Sequence, residues 1–227
     1  MHLHTYILLK LTPTVESAEY SVQIGSDLPY QNGIGLSRDR GPIRISLRTG
    51  ILYGVYSDLT LNLISVLGTD EVYIDLLESS FGFGFMNSIG AYYLFCKKNV
   101  WYIGPEIRFD YLQAADTSSE LVESITGSSI QNTPGPLSQE PNISLQLAMY
   151  AVGVRMGRTF YLAENHHIDI ELSLYKHYNT NTRFFINEDE SQRLTSILDP
   201  LLWEDVFLPY GYLGGIGLSY RYLFIHD

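Results

Sequence analysis

The chain has 227 residues, 45% of them hydrophobic and only 17% charged, which suits one packed domain or one barrel and excludes intrinsic disorder. A formal charge of −11 excludes nucleic acid as a partner, because phosphate recognition needs a basic surface. A single cysteine, Cys96, excludes an internal disulfide and any multi-cysteine metal site.

Residues 1–18 read as an N-terminal tail or a degenerate signal segment: the apolar run Tyr6–Leu11 is short and interrupted by Lys10. From residue 19 to 227 a single β domain is predicted. Its basis is period two, the spacing that sends alternate side chains to opposite faces of a strand. Tyr20, Val22 and Ile24, then Ile34 and Leu36, give two short alternating pieces over 19–26 and 31–38. Residues 43–57 place Ile43, Ile45, Leu47, Ile51, Tyr53 and Val55 opposite Arg44, Ser46, Arg48, Gly50 and Gly54.

A long connection over 58–80 carries Leu59, Leu63, Val66 and Leu67, then Val72, Leu76 and Leu77, at helical spacing. Strand 81–96 sets Phe83, Phe85, Ile89, Tyr93 and Phe95 against Gly84, Ser88 and Gly90. Strand 100–114 sets Trp101, Ile103, Ile107, Phe109 and Tyr111 against Glu106, Arg108 and Asp110. In strand 143–160 the apolar positions are odd at Leu145, Leu147 and Met149, and even at Val152, Val154 and Met156. A β-bulge near Tyr150 is expected to restore one continuous apolar face. Strand 167–182 opposes Ile168, Ile170, Leu172 and Leu174 to Asp169, Glu171, Ser173, Tyr175 and His177. After the long connection 183–208, with Leu201, Leu202, Trp203 and Phe207 in an apolar group, comes strand 209–224.

Eight strands joined by alternating short and long connections predict a closed, antiparallel, up-and-down transmembrane barrel with short helices in its long loops. The long connections hold fifteen acidic residues against Arg183 and Arg193, while the tight turns carry Arg38, Arg40, Lys97 and Lys98. Volume decides which face is outside. The apolar face bears too many Phe, Tyr, Trp, Ile and Leu side chains for the interior of an eight-stranded barrel, which side chains just fill. The opposite face is rich in Gly and Ser and suits a crowded lumen. There Arg44, Arg48, Arg108, Arg155 and Arg221 are expected to meet Glu106, Asp110, Asp169, Glu171 and His177 as a paired network, since buried charges must be paired.

The ending Gly215-Ile-Gly-Leu-Ser-Tyr-Arg-Tyr-Leu-Phe224 resembles the last strand of Gram-negative outer-membrane barrel proteins, although here Ile225, His226 and Asp227 follow the aromatic. The resemblance implies residence in the bacterial outer membrane, contact with its lipid and lipopolysaccharide, and delivery by the barrel-assembly machinery.

No nucleotide loop, zinc signature or nucleophile elbow is present, and neither cofactor nor metal is expected. Ser173 and His177 share the lumen face but stand roughly 13 Å apart along one strand, too far to act as nucleophile and base. The adjacent His166 and His167 point to opposite faces and read as solvated turn residues rather than metal ligands. The sequence therefore favours a non-enzymatic barrel with a salt-bridged lumen and acidic, partly apolar loops serving surface structure or interaction. One alternative is capture of a small hydrophobic molecule or a protein at a loop surface made by Val72, Leu76, Leu77, Leu201, Leu202, Trp203 and Phe207. The other is a lipid A-modifying enzyme.

Overall fold

A computed structural model describes residues 19–28, 31–52, 83–95, 100–117, 143–187, 189–204 and 212–224, with isolated positions in the connections 58–78 and 119–127. Nine strands follow in chain order: β1 (Glu19–Leu28), β2 (Gln31–Arg40), β3 (Ile43–Leu52), β4 (Phe83–Phe95), β5 (Trp101–Thr117), β6 (Ile143–Ala163), β7 (His166–Ile186), β8 (Asp189–Glu190) and β9 (Tyr212–Phe224). Among the described residues a helix, α1 (Gln192–Leu202), precedes β9. Every pairing is antiparallel. Each strand from β1 to β7 binds the next, β9 pairs with both β7 and β1, and the sheet closes on itself. The two-residue β8 only extends the edge of β7.

All eight predicted barrel strands are present. The wall is uneven: β1, β2 and β3 have 10 residues each, whereas β6 and β7 have 21. Tight turns close one rim. Gly41 takes a φ of 58° between β2 and β3, a conformation that costs a residue with no Cβ little. At the opposite rim Asn187, with φ of 51°, turns β7 into β8. Described positions at 58, 62, 65, 66, 71, 74, 75 and 78 are helical, as the spacing of that connection predicts.

One expectation fails. β6 keeps strict alternation through Tyr150, with unbroken register against β5 from Trp101↔Arg158 to Ala114↔Leu145. The extra residue is in β7: Tyr150 faces Asn179 while Ala151 faces His177, so Tyr178 is bulged. Leu145, Leu147 and Met149 therefore point into the barrel, and below the bulge the inward positions of β7 are odd while above it they are even. The apolar phase change in β6 records two different interiors behind a regular strand.

The upper interior is an apolar plug. Leu52, Met86, Leu112, Ile143, Leu145, Leu147 and Phe184 pack with Leu194 and Leu198 of α1 and with Val122. The described register between β7 and β9 ends at Lys176↔Tyr212. Thr182 N–H donates to Asp199 Oδ1 at 2.9 Å and Phe184 N–H to Thr195 Oγ1 at 3.1 Å, so α1 covers that edge. Ser191 caps the helix by accepting from Leu194 N–H.

Candidate functional site

Below the plug the lumen is ionic. At its centre Arg155, 1% exposed, reaches three carboxylates: Glu106 at 2.7 Å, Asp27 at 2.6 Å and Glu171 at 3.0 Å. Its guanidinium also donates to Tyr175 Oη at 2.7 Å. Arg48 grips Glu171 with both terminal nitrogens, and Tyr102 Oη donates to the same carboxylate. Tyr92 Oη donates to Glu106 at 2.7 Å. Six strands, β1 and β3 to β7, thus converge on one cluster in which three carboxylates face two guanidiniums. The planar fork of Arg explains why one side chain spans several acceptors here; a Lys ammonium lacks that reach.

A second cluster closes the tight-turn end. Arg44 forks onto Asp39 at 2.8 Å, Arg221 lies 3.0 Å from Asp169 and 3.5 Å from Asp39, and Thr159 Oγ1 donates to Asp169 at 2.5 Å. A third lies under the plug: Arg108 pairs with Asp110 at 2.7 Å, and His177 Nε2 is 3.6 Å from the same carboxylate. Arg44 and Arg108 also stand 4.9 Å over the rings of Tyr102 and Tyr175.

All ten predicted lumen residues (Arg44, Arg48, Glu106, Arg108, Asp110, Arg155, Asp169, Glu171, His177 and Arg221) are inward and buried, but in three groups rather than one. Sequence reasoning missed Asp27, which stands beside Pro29 and reads as a turn residue, and Asp39, which does so beside Gly41. Their odd positions, in phase with Ser21 and Gln23 on β1 and with Ser37 on β2, were the available signal. His167 also departs from expectation: it is 4% exposed, inside the barrel and edge-on to Tyr161, whereas His166 is outside against Tyr220. Of the proposed loop surface, Val72, Leu76, Leu77 and Phe207 lie outside the described residues, as does the side chain of Leu202. Leu201 is half-buried, and Trp203 packs against the plug instead of presenting a free surface.

Burial runs opposite to that of a water-soluble protein. Ile24 is 61% exposed and Ile216 60%, on the same strands that bury Asp27 and Arg221. Only lipid makes that arrangement favourable, and a closed sheet satisfies every backbone group without water. The chain is an eight-stranded β-barrel with the inside-out burial of a transmembrane one. At the tight-turn rim Arg158 stacks on Trp101 at 5.4 Å and Phe160 at 4.6 Å, and Arg38 on Tyr20 at 5.3 Å, which marks one membrane–water boundary of the barrel.

No family model matches the sequence, and no curated protein does. In fold the barrel is similar to the N-terminal β-barrel domain of Pseudomonas aeruginosa OprF, with a TM-score of 0.44 and 11% identity over 92% of this chain and 97% of that one. It is similar to a major outer membrane protein of Thermus thermophilus, with a TM-score of 0.48 and 11% identity over 92% and 100% of the two chains. CarO of Acinetobacter baumannii gives 0.45 and 10% over 94% and 100%.

Proposed function

We propose that this barrel is a non-enzymatic component of the bacterial outer membrane, closed to solutes, which presents its acidic loops for surface structure or interaction. The observation that carries the reading is Arg155, held at mid-lumen by Asp27, Glu106, Glu171 and Tyr175, with α1 packed into the apolar plug above it. Opening a path means desolvating or breaking several buried ion pairs at once, at a cost of about 3–5 kcal/mol for each partner lost. Against catalysis, Ser173 Oγ has no hydrogen-bond partner among the described residues, so no base activates it.

Planar-bilayer recording of the refolded protein tests the closed lumen. The expected trace shows no steady conductance; stable, reproducible ohmic steps from the wild-type barrel sink the proposal. Mass spectrometry of lipid A from cells with and without the protein tests the absence of catalysis, and the two profiles are expected to coincide.

A further inference from the structure

Above the ionic layer the outward face of β5, β6 and β7 changes character. Phe109, Tyr150 and Tyr178 form a ledge of rings, with centroids 5.1 Å apart for Phe109–Tyr150 and 6.4 Å for Tyr150–Tyr178. Aromatic side chains of this kind mark the membrane–water boundary. Farther from the tight turns come two rows of register partners, first Tyr111, Ala148 and Asn181, then Gln113, Gln146 and Arg183. Gln146 stands four residues past Tyr150, roughly 13 Å along the strand and about 10 Å higher at a tilt of about 40°. Both rows therefore rise beyond the acyl chains, beside the headgroups of the long-loop leaflet.

The two rows keep their polar groups for something outside the barrel. The side chains of Gln113, Gln146, Asn181 and Arg183 make no hydrogen bond or ion pair with any described residue. Each amide offers two N–H donors and a carbonyl acceptor. Between Tyr111 and Asn181 in its row, and between Gln146 and Tyr150 along its strand, Ala148 has only a methyl, which leaves a dip among larger side chains. Charge is as selective as shape. From the level of Val152 and Lys176 upward, the described outward side chains of these strands include no carboxylate, in a chain with 25 acidic residues against 14 Lys and Arg. Their two cations are Arg183 and Lys176, whose Nζ donates to Tyr212 Oη at 3.1 Å.

We propose that this face binds the headgroup sugars of a glycolipid in the long-loop leaflet, at the level just beyond those that carry acyl chains. One pyranose ring sits on the Ala148 dip, with its hydroxyls bonded to the Gln146 and Asn181 amides. A pyranose is apolar across its ring and polar round its rim. The electron-rich faces of Tyr111 and Tyr150 suit its C–H groups, and the amides suit its hydroxyls. Arg183 and Lys176 match the acidic groups of such a headgroup. A glycolipid is the occupant because it already stands at this height, held beside the wall by its own acyl chains, so that binding costs it little freedom. The proposal rests on the transmembrane reading of the barrel and not on the closed lumen.

The test is native mass spectrometry of the full chain released from nanodiscs that contain equal amounts of core-bearing lipopolysaccharide and of lipid A, which lacks the core sugars. The wild type is expected to retain the core-bearing lipid about tenfold over lipid A, equivalent to about 1.4 kcal/mol. Gln146→Ala with Asn181→Ala is expected to remove that preference, and so is Ala148→Trp, which fills the dip. Altered gel mobility before boiling shows separately that each variant still forms a barrel. Equal retention of the two lipids by the wild type, or of neither, overturns the proposal. A preference that survives both variants also overturns it, since the sugars then lie on the loops. So does a dimer that Ala148→Trp dissolves, because a second copy then covers the face.

Discussion

Replacing Arg155 by Met is the sharpest probe of the lumen. Each of its three carboxylate contacts, with charge centres about 4 Å apart, has a gross attraction of about 4 kcal/mol at an effective dielectric constant of about 20. Most of that sum is offset by the cost of holding the charges out of water. Removing one partner of a buried pair then costs about 3–5 kcal/mol, because the remaining charges are left uncompensated. Here Asp27, Glu106 and Glu171 would face Arg48 alone. Unfolding by guanidinium in detergent, followed by tryptophan fluorescence and by loss of the fast-migrating band on unboiled gels, reads the change. Arg155→Met is expected to lose about 3–5 kcal/mol. Adding Glu106→Gln removes one of the stranded charges, and the double variant should recover about 1–3 kcal/mol relative to additivity. Arg155→Lys should fall between, since one ammonium cannot fork across acceptors contributed by three strands. A loss under about 1 kcal/mol for Arg155→Met, with strict additivity in the double variant, would refute the view that this network carries the lumen's stability.

Two further substitutions test the parts around it. A Cβ on Gly157 would run into the ring of Tyr102, the residue that donates to Glu171, so Gly157→Ala is expected to cost about 1–3 kcal/mol in the same unfolding assay; an unchanged midpoint would show that the ring has room to move. Leu198 of α1 is fully buried in the plug, and Leu198→Ser should loosen the helix by about 2–5 kcal/mol locally. Limited proteolysis should then cut the α1 region faster while the barrel core still shifts on the gel, and equal cutting rates would mean that α1 is held by other contacts.

The fold was legible because lipid outside and a narrow lumen inside impose the same period-two rule on every strand. The eight alternating segments correspond to eight paired strands, with β5, β6 and β7 running three to four residues past the predicted ends. The lumen charges were legible for the same reason: an Arg or Glu in phase with Gly and Ser has nowhere to point but inward. Their partners were not, because pairing depends on stagger between strands. Arg48 on β3 meets Glu171 on β7 across 123 positions of sequence, and nothing local announces it.

The misplaced bulge shows where the rule runs out. A period-two reading assumes that one face is apolar throughout, so the switch at Tyr150 looks like a register slip. The tall half of the barrel violates that assumption: above the ionic layer its interior is packed with Leu, Met and Phe, and the wall around the plug is polar outside, with Asn181 and Arg183 exposed on β7. Inside-out patterning thus gives way to ordinary apolar-in patterning within single strands, without any break in β6. The bulge is needed only in β7, where Tyr178 carries the inward phase from odd to even positions so that Thr180, Thr182 and Phe184 face the plug. A membrane band below and a soluble-style cap above make two environments on one continuous sheet. The level at which the pattern inverts marks where the protein leaves the lipid.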